Sequence, residues 1–298
     1  MNGYAGIDFN SSNLTVEEVH RACEALQRDG AEAILATVIT DHQDAMVTRL
    51  KTIATAHRVD SLVREIIHGI HIEGPFINET PGFVGAHPVA AVRPAEIGIM
   101  QALLDAADGL TRIVTLAPER DPAATVTRFL SDQQIVVSAG HCDASLDQLR
   151  RAMDSGLSMF THLGNGCPET MHRHDNIVQR VLSLSKQLTI SFIGDGVHVP
   201  YFALRNYLDR TGLDRVIIIT DAILAAGLGA GEYQMAGRTI VVDEAGVTRY
   251  PGNNTHFVGS AATMPMIARQ LEQGLGLNEQ EIRQLICENP RRLLNQFR

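Results

Sequence analysis

The chain has 298 residues, 45% of them apolar, and a formal charge of −9. That is ample for a substantial core, and the acidic balance argues against nucleic acid as a partner. No apolar run reaches the ~18–20 residues of a membrane span, the opening Met1-Asn2-Gly3-Tyr4 lacks the features of a secretory signal, and four scattered cysteines without a Cys-x-x-Cys fit a reducing, cytoplasmic setting.

In chain order, residues 15–29 place Val16, Val19, Cys23 and Leu26 at helical spacing with Gly30 as a stop. Residues 33–39 then read as a buried strand and 43–64 as a helix. Strand-like runs recur at 66–73, 112–117, 135–141, 158–163, 188–194 and 215–221, and helical patterns at 94–108, 122–132, 145–155, 175–186 and 200–211 separate most of them. Near-continuous apolar strands alternating with helices imply a parallel sheet covered on both faces. Residues 238–249 differ and suggest a hairpin turning near Gly246. Two helices, about 260–274 and 278–296, complete the chain. With no linker or repeat in view, one domain over 1–298 is expected, without a separate β-sandwich.

Seven strands is one short of a (β/α)₈ barrel. A doubly wound sheet gathers ligands at one switch point. Here polar groups end several strands: His71 and Glu73, His141, His162, Asp195 and His198, and Asp221. A barrel brings every strand end to one face, so an α/β TIM-type barrel with its first strand missing is the expected fold. Residues two apart on a strand share a face, which puts His71 and Glu73 together and sets Ile217 and Ile219 beneath Asp221.

The chemistry follows from the residue types. Glu73, His141 and His162 offer one carboxylate and two imidazoles, a donor set for Zn²⁺ or Fe²⁺ that leaves room for water. A metal lowers the pKa of bound water to about 7 and polarises a carbonyl. Asp221 then suits the role of general base and later acid, and His198 that of a hydrogen-bond partner to the carbonyl oxygen. Each residue has a plainer reading. A single strand-end histidine is usually a core or capped residue, Glu73 would serve as a loop carboxylate, and Asp221 would N-cap a helix. Their concurrence in one architecture favours the site. His20, His42 and His57 read as solvated, His68 as structural, and Cys142 and Cys167 as packing residues. Gly82–Pro88 forms a glycine-rich loop after Glu73, and Gly164-Asn165-Gly166-Cys167-Pro168 offers backbone N–H groups to an anion, with Arg173 nearby as a phosphate clamp. Alone, Arg173 reads as part of a solvated basic loop.

These motifs, in this order, resemble the N-acetylglucosamine-6-phosphate deacetylases of the amidohydrolase superfamily. The resemblance rests on His71-Ile-Glu-Gly-Pro-Phe76, Gly85-Ala-His-Pro88, Gly140-His141, Thr161-His162-Leu163, Asp195-Gly-Val-His198, Thr220-Asp221-Ala222, Gly259-Ser260 and Glu288-Asn-Pro290. It implies a metal-dependent (β/α)₈ hydrolase that converts N-acetylglucosamine 6-phosphate to glucosamine 6-phosphate and acetate. It also implies Glu73, His141 and His162 as metal ligands, Asp221 as base and acid, and His198, Asn165, Gly166, Arg173 and His87 as substrate contacts. A homodimer is usual for the family. The family's first strand ends in a pattern such as Asp-x-His-x-His-Gly or Asp-x-Gln-x-Asn-Gly, and this chain opens at Met1-Asn2-Gly3, where that strand would end. A start placed a few residues late is the expectation, and neither half of the family's small β-sandwich is recognisable. The bulkier family loop after Thr-His-Leu is replaced here by Gly164–Pro168, which bears on the sugar more than on the metal. The alternatives are a metal-dependent hydrolase of another N-acetylated sugar or small amide, and a non-catalytic barrel serving as a binding or scaffold protein through the strand edge at 33–39.

Overall fold

The computed structural model describes residues 1–235, 238–244, 246–252 and 257–295. Two short strands open it, β1 (Gly3–Tyr4) and β2 (Ile7–Asp8). Helix α1 (Val16–Arg28) and strand β3 (Ile34–Ile39) follow, then α2 (Gln43–Val59), α3 (Ser61–Ile66) and β4 (Ile67–Glu73). From there strand and helix alternate: α4 (Ile97–Ala106), β5 (Thr111–Leu116), α5 (Thr125–Asp132), β6 (Val136–Ala139), α6 (Leu146–Asp154), β7 (Leu157–Phe160), α7 (Ile177–Ser183), β8 (Thr189–Ile193), α8 (Tyr201–Thr211) and β9 (Val216–Ile219). Strands β10 (Gly231–Met235), β11 (Arg238–Val242) and β12 (Thr248–Arg249) precede α9 (Met264–Leu275), α10 (Glu279–Arg283) and α11 (Asn289–Asn295).

Strands β3 to β9 form one seven-stranded sheet in chain order, the α/β arrangement of a TIM-type barrel one strand short. Strands β5 to β9 pair in parallel, with Ile113 beside Val136, Ser138 beside Met159, Phe160 beside Ile190 and Ile193 beside Ile219. Their apolar runs suit a sheet buried on both faces, and Val114, Val137, Ile190 and Val216 have no exposed surface.

The described residues fall into two compact units. The first contains residues 1–72, 101–112 and 220–267. In it α1 is framed by a capping box between Thr15 and Glu18 and buries Val19, Ala22, Cys23, Ala25 and Leu26, while Val16, the first of the spaced apolar residues, is only half-buried. The helix expected over 43–64 is divided. Asp60 is extended, ends α2, and accepts from the backbone N–H groups of Leu62 and Val63 to start α3. Asp60 also accepts from His20 Nδ1 at 2.6 Å, so His20 is hydrogen-bonded rather than simply solvated. Strands β11 and β12 form the hairpin expected at 238–249, and β10, which was not expected, adds a third antiparallel strand beside β11. It packs Ile240, Val242 and Tyr250 against Ile223, Ala225 and Val258, with Arg238 stacked 3.6 Å over the Tyr250 ring.

The second unit contains residues 73–100, 113–219 and 268 onward. The final helix expected over 278–296 is interrupted by a π-turn at Gln284–Glu288, and Gln296 lies outside the described residues. Pro290 cannot donate to the carbonyl four residues back, and a wider turn ahead of it absorbs that break. Asn289 then ties this region to the start of β9, donating to Leu213 and Val216 carbonyls at 2.7 and 2.6 Å. No helix among the described residues is long and apolar enough to cross a membrane.

Candidate metal centre and active site

The sheet ladder continues beyond the strands and places the site residues. Gly74 N donates to Thr115 O, Gly140 N to Leu116 O, Thr161 N to Ala139 O and Leu163 N to Ser191 O. Glu73, His141 and His162 therefore leave the ends of β4, β6 and β7 in the same sense. His162 N also donates to Ser191 Oγ at 2.9 Å. His141 and His162 both have positive φ, 50° and 31°, as does Asp221 at 49°. Residues other than glycine adopt this region at a cost of roughly 1–3 kcal/mol, and such strain clusters at functional sites.

The three side chains converge. His162 Nε2 lies 2.9 Å and His141 Nε2 3.3 Å from Glu73 Oε1, and one donor atom from each residue falls within 4.8 Å of the others. Glu73 and His162 are 4% exposed and His141 7%. Burial alone would raise the Glu73 carboxyl, but hydrogen bonds and charge from the two imidazoles hold it well below the usual carboxylate range. Bonds of 2.0–2.2 Å to a tetrahedral ion set neighbouring donors about 3.3–3.6 Å apart, so the two separations from Glu73 need open by well under about 1 Å to admit a metal. The tautomer fits as well. His141 Nδ1 donates to the Phe83 carbonyl at 2.8 Å, so in the neutral ring that a metal ligand requires, the lone pair falls on Nε2, on the Glu73 side.

Two loops brace His141. A Cβ at Gly166 would sit 2.7 Å from His141 Nδ1, and one at Gly85 3.2 Å from its Cε1. Glycine is required for so close a backbone approach, and Gly166 also has φ of 59°. His87 packs edge-on against His141 with Nε2 to Nε2 at 3.3 Å. Beneath them Glu119 Oε1 accepts from Asn78 Nδ2 and Asp143 N, while Asn78 N donates to the His141 carbonyl at 2.9 Å. Burial pushes the Glu119 carboxyl up. Burial also raises the Cys142 thiol well above its ordinary value and raises Cys167, as expected of packing residues rather than nucleophiles.

His198 is held by Asp195, whose Oδ2 lies 2.7 Å from His198 Nδ1 and whose Oδ1 accepts from the Val197 and His198 backbone. Asn165 donates from its backbone and side chain to the His162 carbonyl, at 2.9 and 3.3 Å. Arg173 is exposed, in a loop tied together by His172 Nδ1 and by Asn176, whose side chain donates to the His172 carbonyl. The basic neighbour Arg180 is committed to Asp143 and Asp175. In the first unit, Asp221 does not cap a helix. Its carbonyl accepts from Ser260 N at 3.0 Å, and its Oδ1 from Asn2 Nδ2 at 2.9 Å.

Sequence reasoning named the three clustered residues and His198. It left Asp195 without a role, although an aspartate three residues before a histidine in a turn is a natural backbone cap. The Phe83 carbonyl carries no signal in sequence, and the Glu119 and Asn2 contacts depend on residues far apart along the chain.

A Bacillus subtilis N-acetylglucosamine-6-phosphate deacetylase is 31% identical over 297 residues, covering 99% of this chain and 73% of its own length. The chain belongs to the N-acetylglucosamine-6-phosphate deacetylase family. A bovine deacetylase of that name is 30% identical over 305 residues, covering 99% of this chain and 72% of its own. A family relative from Escherichia coli O157:H7, 29% identical with 99% and 75% covered, is named an N-acetylgalactosamine-6-phosphate deacetylase. Among solved structures, an N-acetyl-D-glucosamine-6-phosphate deacetylase from Mycobacterium smegmatis, in complex with N-acetyl-D-glucosamine 6-phosphate, superposes with a TM-score of 0.87 at 32% identity, covering 99% of this chain and 75% of that one. No family model matches the chain.

Proposed function

We propose that the chain is a divalent-metal-dependent hydrolase that cleaves the acetamide of N-acetylglucosamine 6-phosphate, releasing glucosamine 6-phosphate and acetate. One observation carries the reading: a family member holds Glu73, His141 and His162 as a buried cluster of metal-binding geometry. Those three residues hold Zn²⁺ or Fe²⁺, whose shared ligand preference leaves both open. When bound, such an ion supplies Lewis acidity and an acidified water.

The chain's own residues then do the following. Asp221 takes a proton from the attacking water and later delivers one to the departing amine. With Nδ1 committed to Asp195, His198 presents Nε2 to the carbonyl oxygen, and donates to it when the ring carries both protons. Arg173 pairs with the phosphate, while Asn165, Gly166 and His87 line the sugar side. A cytoplasmic setting is in keeping with the four free cysteines. A homodimer is the expected assembly by family resemblance.

A second substrate reading has its own support. A relative of nearly equal identity is named for the galactosamine epimer, so another N-acetylated sugar phosphate is the alternative. The test is acetate release by the metal-loaded chain from N-acetylglucosamine 6-phosphate, its galactosamine epimer and unphosphorylated N-acetylglucosamine. The proposal expects the highest kcat/KM on the first. Preference for the epimer would move the sugar, and hydrolysis of none would overturn the assignment.

A further inference from the structure

We propose that Asn2 is a positioning residue for Asp221, fixing which carboxylate oxygen takes the proton. This rests on the assignment of Asp221 as general base. Asn2 Nδ2 lies 2.9 Å from Asp221 Oδ1. An ionised carboxylate only accepts hydrogen bonds, so the amide must turn its N–H toward it and its Oδ1 away. That Oδ1 is buried and has no hydrogen-bond partner. Among the described residues, the Asn2 side chain is therefore not one node of a general polar network. Its hydrogen bond goes to Asp221 alone, and it keeps this bond at the expense of an unsatisfied acceptor.

Both partners are held by their backbones, which makes the contact a defined geometry. Asn2 N donates to Ala222 O at 2.7 Å, Phe9 N donates to Asn2 O at 3.0 Å, and Thr37 N of β3 donates to Met1 O at 2.9 Å. Gly3 permits this approach. A Cβ there would run into the Ile7 carbonyl and lie 2.9 Å from Leu224 N. Asp221 sits in the left-handed region and is fixed through its own carbonyl by Ser260 N, beside Gly259, whose missing Cβ would lie 3.1 Å from that carbonyl oxygen. What the backbone leaves undetermined is the rotation of the carboxyl group, because the terminal torsion of aspartate is broad and two-fold. The Asn2 donor removes that freedom. With Oδ1 engaged, Oδ2 is the oxygen that receives the proton from water and returns it to the amine. No reagent beyond the proposed hydrolysis is needed.

The test uses the full metal-loaded chain with Asn2→Ala and Asn2→Asp, reading kcat and KM for acetate release, metal content and melting temperature, beside Asp221→Asn. Loss of a hydrogen bond to a charged group should lower kcat about 10- to 100-fold. KM should stay within about two-fold, with metal content unchanged. Asn2→Asp conserves size but not the donor, so it should be at least as impaired as Asn2→Ala. A space-filling role would instead leave Asn2→Asp active, and that result, or unchanged kcat in Asn2→Ala, overturns the inference. Full activity in Asp221→Asn overturns the base assignment itself and the inference with it, so the two failures are read on different variants.

Discussion

The Glu73, His141 and His162 cluster and the Arg173 loop are built in opposite ways. The cluster is buried, and its residues extend directly from sheet strands. Its backbone is strained at both histidines, and the spare nitrogen of His141 is fixed by a backbone carbonyl. The Arg173 loop is exposed and is tied together by its own short hydrogen bonds rather than by the sheet. On the proposed assignment, the metal chemistry would be fixed in the core and recognition of the sugar phosphate carried by an exposed loop. Relatives of about 30% identity to the chain are named for two different sugars.

The largest expected effect comes from the cluster. His162→Ala should remove metal binding and lower acetate release about 10³-fold or more on every substrate, because several kcal/mol of transition-state stabilisation depend on the ion. A loss confined to one sugar would break the division. Gly166→Ala probes the point where the second loop meets the cluster. Its Cβ must displace the His141 ring, so metal affinity should fall about 10- to 100-fold, the usual cost of disturbing the support of a ligand. Arg173→Ala should raise KM about 10- to 100-fold for phosphorylated substrates through loss of a charge-assisted contact, with little change for unphosphorylated ones and none in metal content. Equal losses on both would remove Arg173 from the phosphate.

The smallest effect serves as a control remote in function. Asp60→Ala removes the α3 cap and should cost about 1 kcal/mol in thermal stability at pH 7, with activity unchanged. The Asp60 carboxyl opposes its burial cost with hydrogen bonds from Val63 N, His20 and Leu62 N, and its pKa is lowered as a result. A folded pKa below the unfolded one contributes stability that is present above the unfolded value, about 3.9, and is lost as pH falls through the folded value. The stability gap between wild type and variant should therefore narrow on acidification below about pH 4.

Much of this was legible in the sequence because parallel strands announce themselves as unbroken apolar runs. A barrel-type sheet places whatever follows those runs on one side, so Glu73, His141 and His162 could be assigned together from position and residue type. The division of 43–64 at Asp60 was not legible, since the apolar spacing continues through it and only the cap marks the break. The hydrogen bond between Asn2 and Asp221 spans 219 positions, beyond any local pattern. The positive φ of His141, His162 and Asp221 is likewise a property of the closed structure, because nothing in those residue types asks for it.

The most direct test of the central claim is the metal content of the purified chain after incubation with Zn²⁺ or Fe²⁺, measured beside Glu73→Gln. About one equivalent in the wild type, lost in the variant while its far-UV spectrum stays the same, is the expected result. Equal metal in both, or none in the folded wild type, would contradict the assignment of the cluster as a metal centre.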